Sequence, residues 1–216
     1  MRTTLTIEVP TTWSDVTLKQ YLALMADLEN YKDDEEAQTA LMLLHLCGIQ
    51  PEYLKGLSKE SYDRLKSKLA GFIQPDNIGL QRIINVNGRE YGFEPNLSKM
   101  SYGAYADITQ YEQITIDKNW GKIMSILYRP ITNKQGQFYQ IEEYTGDINE
   151  GLWLDVDMEK HFGCMFFFVN LSTDLLQGIL KSLKEEELHP SIKSILARSG
   201  ELMQLSWNLP TTIFSK

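Results

Sequence analysis

The sequence predicts a predominantly helical α+β fold, and three observations support that prediction. Apolar residues recur at helical spacing in several separate stretches of the chain. Two β-like runs flank Asn87-Gly88, a dipeptide that strongly favours a two-residue hairpin turn. A stretch of turn-forming residues over 74–79 separates a helical first part from the rest. We therefore expect an N-terminal strand and helices, two β-hairpins in the middle, and long C-terminal helices.

The first predicted domain, residues 1–73, consists of one strand followed by a helical unit. Polar and β-branched residues alternate over 3–9, which is typical of a strand. Apolar residues at helical spacing then predict helices over 17–31, 33–48 and 58–71. These helices begin with a threonine, a run of four acids and a serine, all of which favour helix N-termini.

The middle of the chain is predicted to contain two hairpins with two helices between them. Asn87-Gly88 makes the first turn, because both of its positions must accept a positive φ angle. One helix is expected over 101–111, and a second should begin at an Asp117 cap and end before Pro130. The turn of the second hairpin is expected over 133–136.

The C-terminal part shows a continuous helical pattern over 155–187, which predicts one long helix. Gly163 and Gly178 should weaken it, since glycine is a poor helix former. A last helix is expected over 190–198, with proline in its first turn. Residues 80–216 thus form the second predicted domain, and one compact domain over the whole chain is the alternative.

Composition and charge argue against several classes of protein. The chain has 216 residues and a net charge of −8, from 29 acidic and 21 basic residues. Its average field would repel a phosphate backbone, so we expect no binding to nucleic acid. The longest apolar run is far below the roughly 18 residues that cross a bilayer, and the start of the chain does not resemble a signal peptide. We expect a protein made in the cytoplasm and independent of membranes.

Few residues are candidates for metal binding. Acidic and histidine side chains alternate over 155–161, and on one face of a strand they could bind a metal. The helix that we favour there spreads them around its axis, so we predict no metal site. Cys47 and Cys164 lie in apolar stretches without zinc-ligand spacing and are predicted to be buried free thiols. The alternating residues are Asp155, Asp157, Glu159 and His161.

The chain lacks the sequence motifs of common catalytic sites. It contains neither a G-x-S-x-G nucleophile turn nor a G-x-x-x-x-G-K-[ST] phosphate loop. Glu142 and Glu143 are adjacent, so in a strand they would point to opposite faces and could not act as a carboxylate pair. We therefore predict that the protein is not an enzyme and binds no cofactor.

Aromatic residues concentrate over 91–147, and an arginine, Arg129, lies among them. Tyrosine and tryptophan are enriched in contact surfaces, although filling the core around the hairpins is the favoured role here. Arg129 is expected to form a buried structural ion pair with a carboxylate such as Asp107 or Glu142. The candidates for partner contact are Tyr102, Tyr105, Tyr128, Arg129, Tyr144, Trp153 and Trp207.

Five short motifs carry a resemblance to a known group of proteins. They are YGFEPN at 91–96, GAYAD at 103–107, LYRPI at 127–131, YQIEEYTG at 139–146 and FFVNL at 167–171. In combination they resemble a poorly characterised group of tailed-bacteriophage proteins that are encoded among tail and virion morphogenesis genes.

The resemblance covers residues 90–185 and implies a role in phage morphogenesis like that of a tail assembly chaperone that shields the tape-measure protein. The implied partners are the tape-measure protein or other tail or head–tail components, with a homo-oligomer as a further option. The alternative is a virion structural component, such as a head–tail connector, a tail protein or a packaged internal protein; an enzyme is a third, disfavoured one. The expected location is the host cytoplasm during assembly, or the virion under the alternative.

The resemblance carries over no catalytic or binding residues, because the group defines none. The N-terminal helices match nothing in it, so they leave the choice of partner open. An assembly chaperone should nevertheless be acidic and present apolar helical surface. The amphipathic C-terminal half, from Trp153 to Phe214, is a candidate groove for a partner helix.

Overall fold

The computed structural model describes residues 7–72, 78–111 and 115–182, and these residues confirm a predominantly helical α+β fold. The described residues contain seven α-helices and one four-stranded antiparallel sheet. They divide into two compact units. The first unit contains 7–72 and 151–161, and the second contains the described residues from 78 to 150 together with 162–182.

Four helices form most of the first unit, and the three that were predicted are all present. Thr17 caps the first of them, because its side chain accepts a hydrogen bond from the backbone N–H of Gln20. Gly48 ends the second in a left-handed conformation with φ of 67°. The sequence analysis missed one short helix that begins at Pro51. The helices are α1 (Leu18–Leu28), α2 (Glu35–Cys47), α3 (Pro51–Leu54) and α4 (Lys59–Phe72).

The first unit also takes in residues 151–161, which lie far away in sequence. The Leu18 and Lys19 amides donate to the carbonyls of Val156 and Leu154 at 3.0 and 2.9 Å, so this segment is bonded to the start of α1. The domain boundaries predicted from the sequence did not foresee this return of the chain. Of the strand predicted over 3–9, residues 7–9 are described and lie in no strand, and the rest lies outside the described residues.

The sheet of the second unit has the strand order β1-β2-β3-β4, with every neighbouring pair antiparallel. The predicted turn at Asn87-Gly88 is confirmed, since these residues have φ angles of 52° and 81°. Phe93 is buried in β2 and packs edge-on against the Phe167 ring at 5.3 Å, which joins the last helix to the sheet. The strands are β1 (Ile83–Val86), β2 (Arg89–Phe93), β3 (Tyr128–Gln135) and β4 (Phe138–Ile141).

The second hairpin turns later than the sequence predicted. Residues 133–135 remain in β3, and the turn lies at Gly136 and Gln137, because Gly136 supplies the positive φ of 60°. Strand β3 pairs with β2 through 128–130 and with β4 from Ile131 onward, with an irregular register after Ile131. Pro130 therefore lies within the strand, next to this irregularity, where a missing N–H is tolerated.

Three helices complete the second unit: α5 (Tyr102–Ile108), α6 (Trp120–Leu127) and α7 (Met158–Ser182), the last of which begins in the first unit. The N-cap of α6 is Asn119 and not Asp117, whose carboxylate instead accepts from the Asn119 amide at 2.7 Å.

Gly163 was predicted to weaken the long helix, but it permits a close contact. A Cβ atom there would lie 2.5 Å from the Gly79 carbonyl oxygen, a distance that no side chain tolerates. The glycine therefore lets α7 approach the segment before β1. The part of α7 predicted beyond Ser182 and the helix predicted over 190–198 lie outside the described residues.

Candidate functional site

The centre of the second unit contains an ion pair between Arg129 on β3 and Glu94 after β2. The two side chains are only 11% and 10% exposed, so a buried structural pair is present as predicted, but with a different partner. Asp107 does not pair directly with the arginine, and Glu142 pairs with Arg89 at 2.6 Å. The strand register explains the true partner.

Glu94 reaches Arg129 because of how β2 and β3 pair. Gly92 lies opposite Arg129, and Glu94 lies two residues further on, along the same face of the strand. Diagonal neighbours of this kind are within reach of long side chains. A Cβ atom at Gly92 would lie 2.5 Å from the ring of Tyr139, so the glycine leaves room for that ring.

Tyr144 extends this pair to a third element. The Arg129 guanidinium lies over the Tyr144 ring, with its carbon 5.9 Å from the ring centroid. The Tyr144 hydroxyl donates a hydrogen bond to the Asp107 carboxylate on α5. Burial, and then the hydrogen bond to Asp107, raise the pKa of Tyr144 above its usual value. We call Glu94, Arg129, Tyr144 and Asp107 the polar cluster.

The polar cluster unites the first four motifs on which the resemblance rests. YGFEPN supplies Glu94, GAYAD supplies Asp107, LYRPI supplies Arg129, and YQIEEYTG supplies Tyr144. These segments are separated in sequence, yet their polar side chains contact one another in series. The sequence analysis missed Glu94. The signal that could have found it is its position two residues after Gly92, because residues two apart lie on the same face of a strand.

The predicted contact residues fall into two groups. Tyr102 and Tyr105 on α5 are 84% and 57% exposed and are available to a partner. Tyr128 is buried, with its hydroxyl donating to the Gln81 carbonyl at 2.7 Å, and Trp153 is buried in the first unit. Both side chains are packed inside their own unit, so they are not available to a partner.

Three candidates for partner contact remain. Arg129 and Tyr144 belong to the polar cluster, and Trp207 lies outside the described residues.

Four exposed apolar side chains in the second unit, Phe138, Ile148, Leu171 and Leu175, were not among the named candidates for partner contact. Phe138, beside the turn of the second hairpin, is 84% exposed. Leu171 and Leu175 are 45% and 65% exposed and lie one helical turn apart on α7. Large apolar side chains in contact with water are favourable sites for protein contact, because covering them removes apolar surface from water.

The candidate metal ligands between 155 and 161 do not come together. His161 is fully buried, and its ring nitrogen lies 3.2 Å from the Trp153 carbonyl oxygen. Burial lowers the pKa of His161 to about 4. Asp157 forms an ion pair with Lys160. Across 7–72, 78–111 and 115–182, no three or more histidine, cysteine and acidic side chains form a group suited to a metal ion.

The two cysteines are both free thiols, as predicted, but only Cys164 is buried. Cys47 at the end of α2 is partly exposed, and burial raises its pKa to about 11. Most of its thiol is therefore protonated at neutral pH, which lowers its reactivity.

Comparisons of the chain with known protein families, curated proteins and solved structures gave no match. The helices in the described part of the chain include none with the length and apolar character needed to cross a membrane.

Proposed function

We propose that this chain is a phage morphogenesis protein that acts through protein–protein contact and not as an enzyme, and that it serves as a tail assembly chaperone for the tape-measure protein. The observation that carries the proposal is the exposure of Tyr102 and Tyr105 on α5. Tyr105 lies inside the GAYAD motif of the resemblance, and Tyr102 directly precedes that motif. The motif also contributes Asp107 to the polar cluster, so α5 is anchored through Asp107 and presents the two aromatic rings.

Aromatic side chains suit such a role for a physical reason. Tyrosine offers a large rigid surface with few rotatable bonds and a polar end, so it can contact a partner and remain hydrated without one. Phe138, Leu171 and Leu175 add apolar exposure in the same unit. The net charge of −8 keeps such a chain soluble and favours a basic partner.

Quantitative mass spectrometry of purified phage particles and of infected-cell lysate tests the proposal. A chaperone is expected to be abundant in the lysate and absent from particles. Its presence in particles at a fixed copy number would overturn the chaperone function and make this chain a virion component. In that case the contact surface would serve a permanent neighbour.

A pull-down from the same lysate tests the surface itself. The tagged wild-type chain should enrich the tape-measure protein, and the double variant Tyr102→Ser with Tyr105→Ser should enrich it at least tenfold less. Tyr53→Ser is the matched control, because Tyr53 is a 62% exposed tyrosine in the first unit. Equal recovery by the wild-type and doubly substituted chains would remove α5 from the contact surface.

A further inference from the structure

Helix α5 contributes little to the core of its own unit. Ala104 is its only fully buried residue, residues 106–108 are half-buried, and Tyr102, Gly103 and Tyr105 are exposed. In the described part of the chain, its side-chain hydrogen bond to another element is the one between Asp107 and Tyr144. A Cβ atom at Gly103 would lie 3.4 Å from the Tyr144 ring, so this ring also contacts the helix backbone. Tyr144 therefore holds α5 through both a hydrogen bond and a ring contact, in addition to the packing of α5 on α6.

The segment that carries Tyr144 is itself weakly packed. Residues 142–150, which we call the strap, connect β4 to a short 3₁₀ helix at Glu150–Trp153. Every residue of the strap is exposed except Tyr144. The far end lies against α6, where a Cβ atom at Gly121 would be 2.7 Å from the Glu150 carbonyl oxygen. Between β4 and that end, Tyr144 is the residue whose side chain is half-buried.

The neighbouring elements are held in a different manner. Ile84, Phe93 and Tyr128 in the sheet are each at most 1% exposed, and Trp120 on α6 is fully buried. Burial of these large apolar side chains stabilises the sheet and α6, so the loss of one hydroxyl group should not open them. Proteins open locally in cooperative units, and the units with the fewest buried apolar contacts open first.

We propose that α5 and the strap form one cooperative unit fastened by Tyr144, and that this unit opens while the sheet and α6 stay folded. Opening breaks the Tyr144–Asp107 hydrogen bond and lifts the Tyr144 ring from the Arg129 guanidinium. It lets the two exposed tyrosines of α5 change their orientation while the core remains intact. This inference does not rest on the proposed function.

Hydrogen exchange of the full-length chain measures the opening of α5. Its reporters are amides of helical hydrogen bonds, such as Tyr105 to the Ser101 carbonyl and Thr109 to the Tyr105 carbonyl. In Tyr144→Phe these amides should exchange about ten- to hundredfold faster, because a hydrogen bond to a charged group is lost. Peptides from β2 and β3 should exchange at the wild-type rate.

Cleavage by a glutamate-specific protease measures the opening of the strap, at Glu142 and Glu143. Asp107→Ala changes only α5 and removes the acceptor of the Tyr144 hydroxyl, yet it should increase the cleavage rate of the strap as Tyr144→Phe does. This follows because the coupling between two parts of one cooperative unit is reciprocal.

Tyr139→Phe is the matched control, because it also removes a tyrosine hydroxyl that donates a hydrogen bond, at 2.7 Å, but to the Phe93 carbonyl. It should leave both α5 exchange and strap cleavage unchanged. The proposal is overturned if Tyr144→Phe leaves α5 exchange unaltered, or if α5 opens without faster cleavage of the strap. It is also overturned if α5 exchanges only at the rate of the sheet.

Discussion

The two units bury a polar side chain in opposite ways. In the first unit His161 is fully buried, and burial favours its neutral form by lowering its pKa to about 4. In the second unit Arg129 is nearly as buried but retains its charge, which the Glu94 carboxylate and the Tyr144 ring offset. One site removes the charge and the other pairs it. The stability of the first unit should therefore depend on pH, and that of the second unit on the presence of the partner carboxylate.

The largest expected effect is the removal of the carboxylate beside Arg129. Glu94→Gln leaves a buried guanidinium whose Nε already has no hydrogen-bond partner among the described residues. An uncompensated buried charge of this kind should lower the free energy of unfolding by about 3–5 kcal/mol. Urea denaturation followed by circular dichroism measures the change.

A double variant distinguishes the effect of leaving Arg129 without its partner from the effect of lost packing. Glu94→Leu combined with Arg129→Met replaces the ion pair with apolar side chains, which is often neutral or stabilising. We expect it to recover most of the stability lost in Glu94→Gln. If Glu94→Gln unfolds at the wild-type urea concentration, the pair is not desolvated and the comparison between the two units fails.

His161 should make the stability of the protein depend on pH. Between its ordinary pKa of 6.5 and its folded pKa of about 4, the unfolded chain binds a proton that the folded chain does not bind. The free energy of unfolding is therefore not reduced by His161 above pH 6.5, and it falls as the pH is lowered through this window. The loss should approach about 3 kcal/mol near pH 4.

Thermal unfolding at half-unit pH steps tests this dependence. His161→Gln keeps a donor for the Trp153 carbonyl and removes the titrating ring, so its stability should be flatter between pH 6.5 and 4. His45→Gln is the control, because His45 bonds to the Asp27 carboxylate at 2.7 Å and that carboxylate side chain is 50% exposed. A His161→Gln profile as steep as that of the wild type would contradict the assignment.

Close packing beside the polar cluster, between Gly92 and Tyr139, should matter less than the charges within it. Gly92→Ala places a methyl group 2.5 Å from the Tyr139 ring, which then has to move. Overpacking of this kind lowers the free energy of unfolding by about 1–3 kcal/mol. In a double-mutant cycle, adding Tyr139→Ala should relieve the clash with the ring and leave the 2.8 Å approach to the Ile141 methyl group, so that Gly92→Ala has a smaller effect in that background. Additive effects would show that the two residues do not meet.

The sequence predicted well those features that depend on residues close together in the chain. Thr17 and Gly48 delimit helices through contacts within one turn, and Asn87-Gly88 forms its hairpin from its own conformational preference. It also predicted that Arg129 would be paired. It failed on the partner, because Glu94 meets Arg129 through the register of two strands separated by two helices.

Exposure was equally hard to predict from residue type. Tyr102 and Tyr128 belong to the same aromatic-rich region, yet one is 84% exposed and the other is buried. The difference is set by position: Tyr102 opens a short helix at the surface, and Tyr128 begins a strand whose neighbours cover it. No local pattern in the sequence distinguishes these two environments.

The smallest expected effect concerns Glu142, a partner that the sequence proposed for Arg129. Glu142 pairs instead with Arg89 at 2.6 Å, and the two side chains are 48% and 56% exposed. Exposed ion pairs contribute little, so Glu142→Gln should change the free energy of unfolding by less than about 0.5 kcal/mol. Measured in 0.1 and 1 M salt, even that difference should shrink, since salt screens exposed charges. A loss close to that of Glu94→Gln would mean that exposure does not separate the two pairs, and that Glu142 acts through the strap it begins.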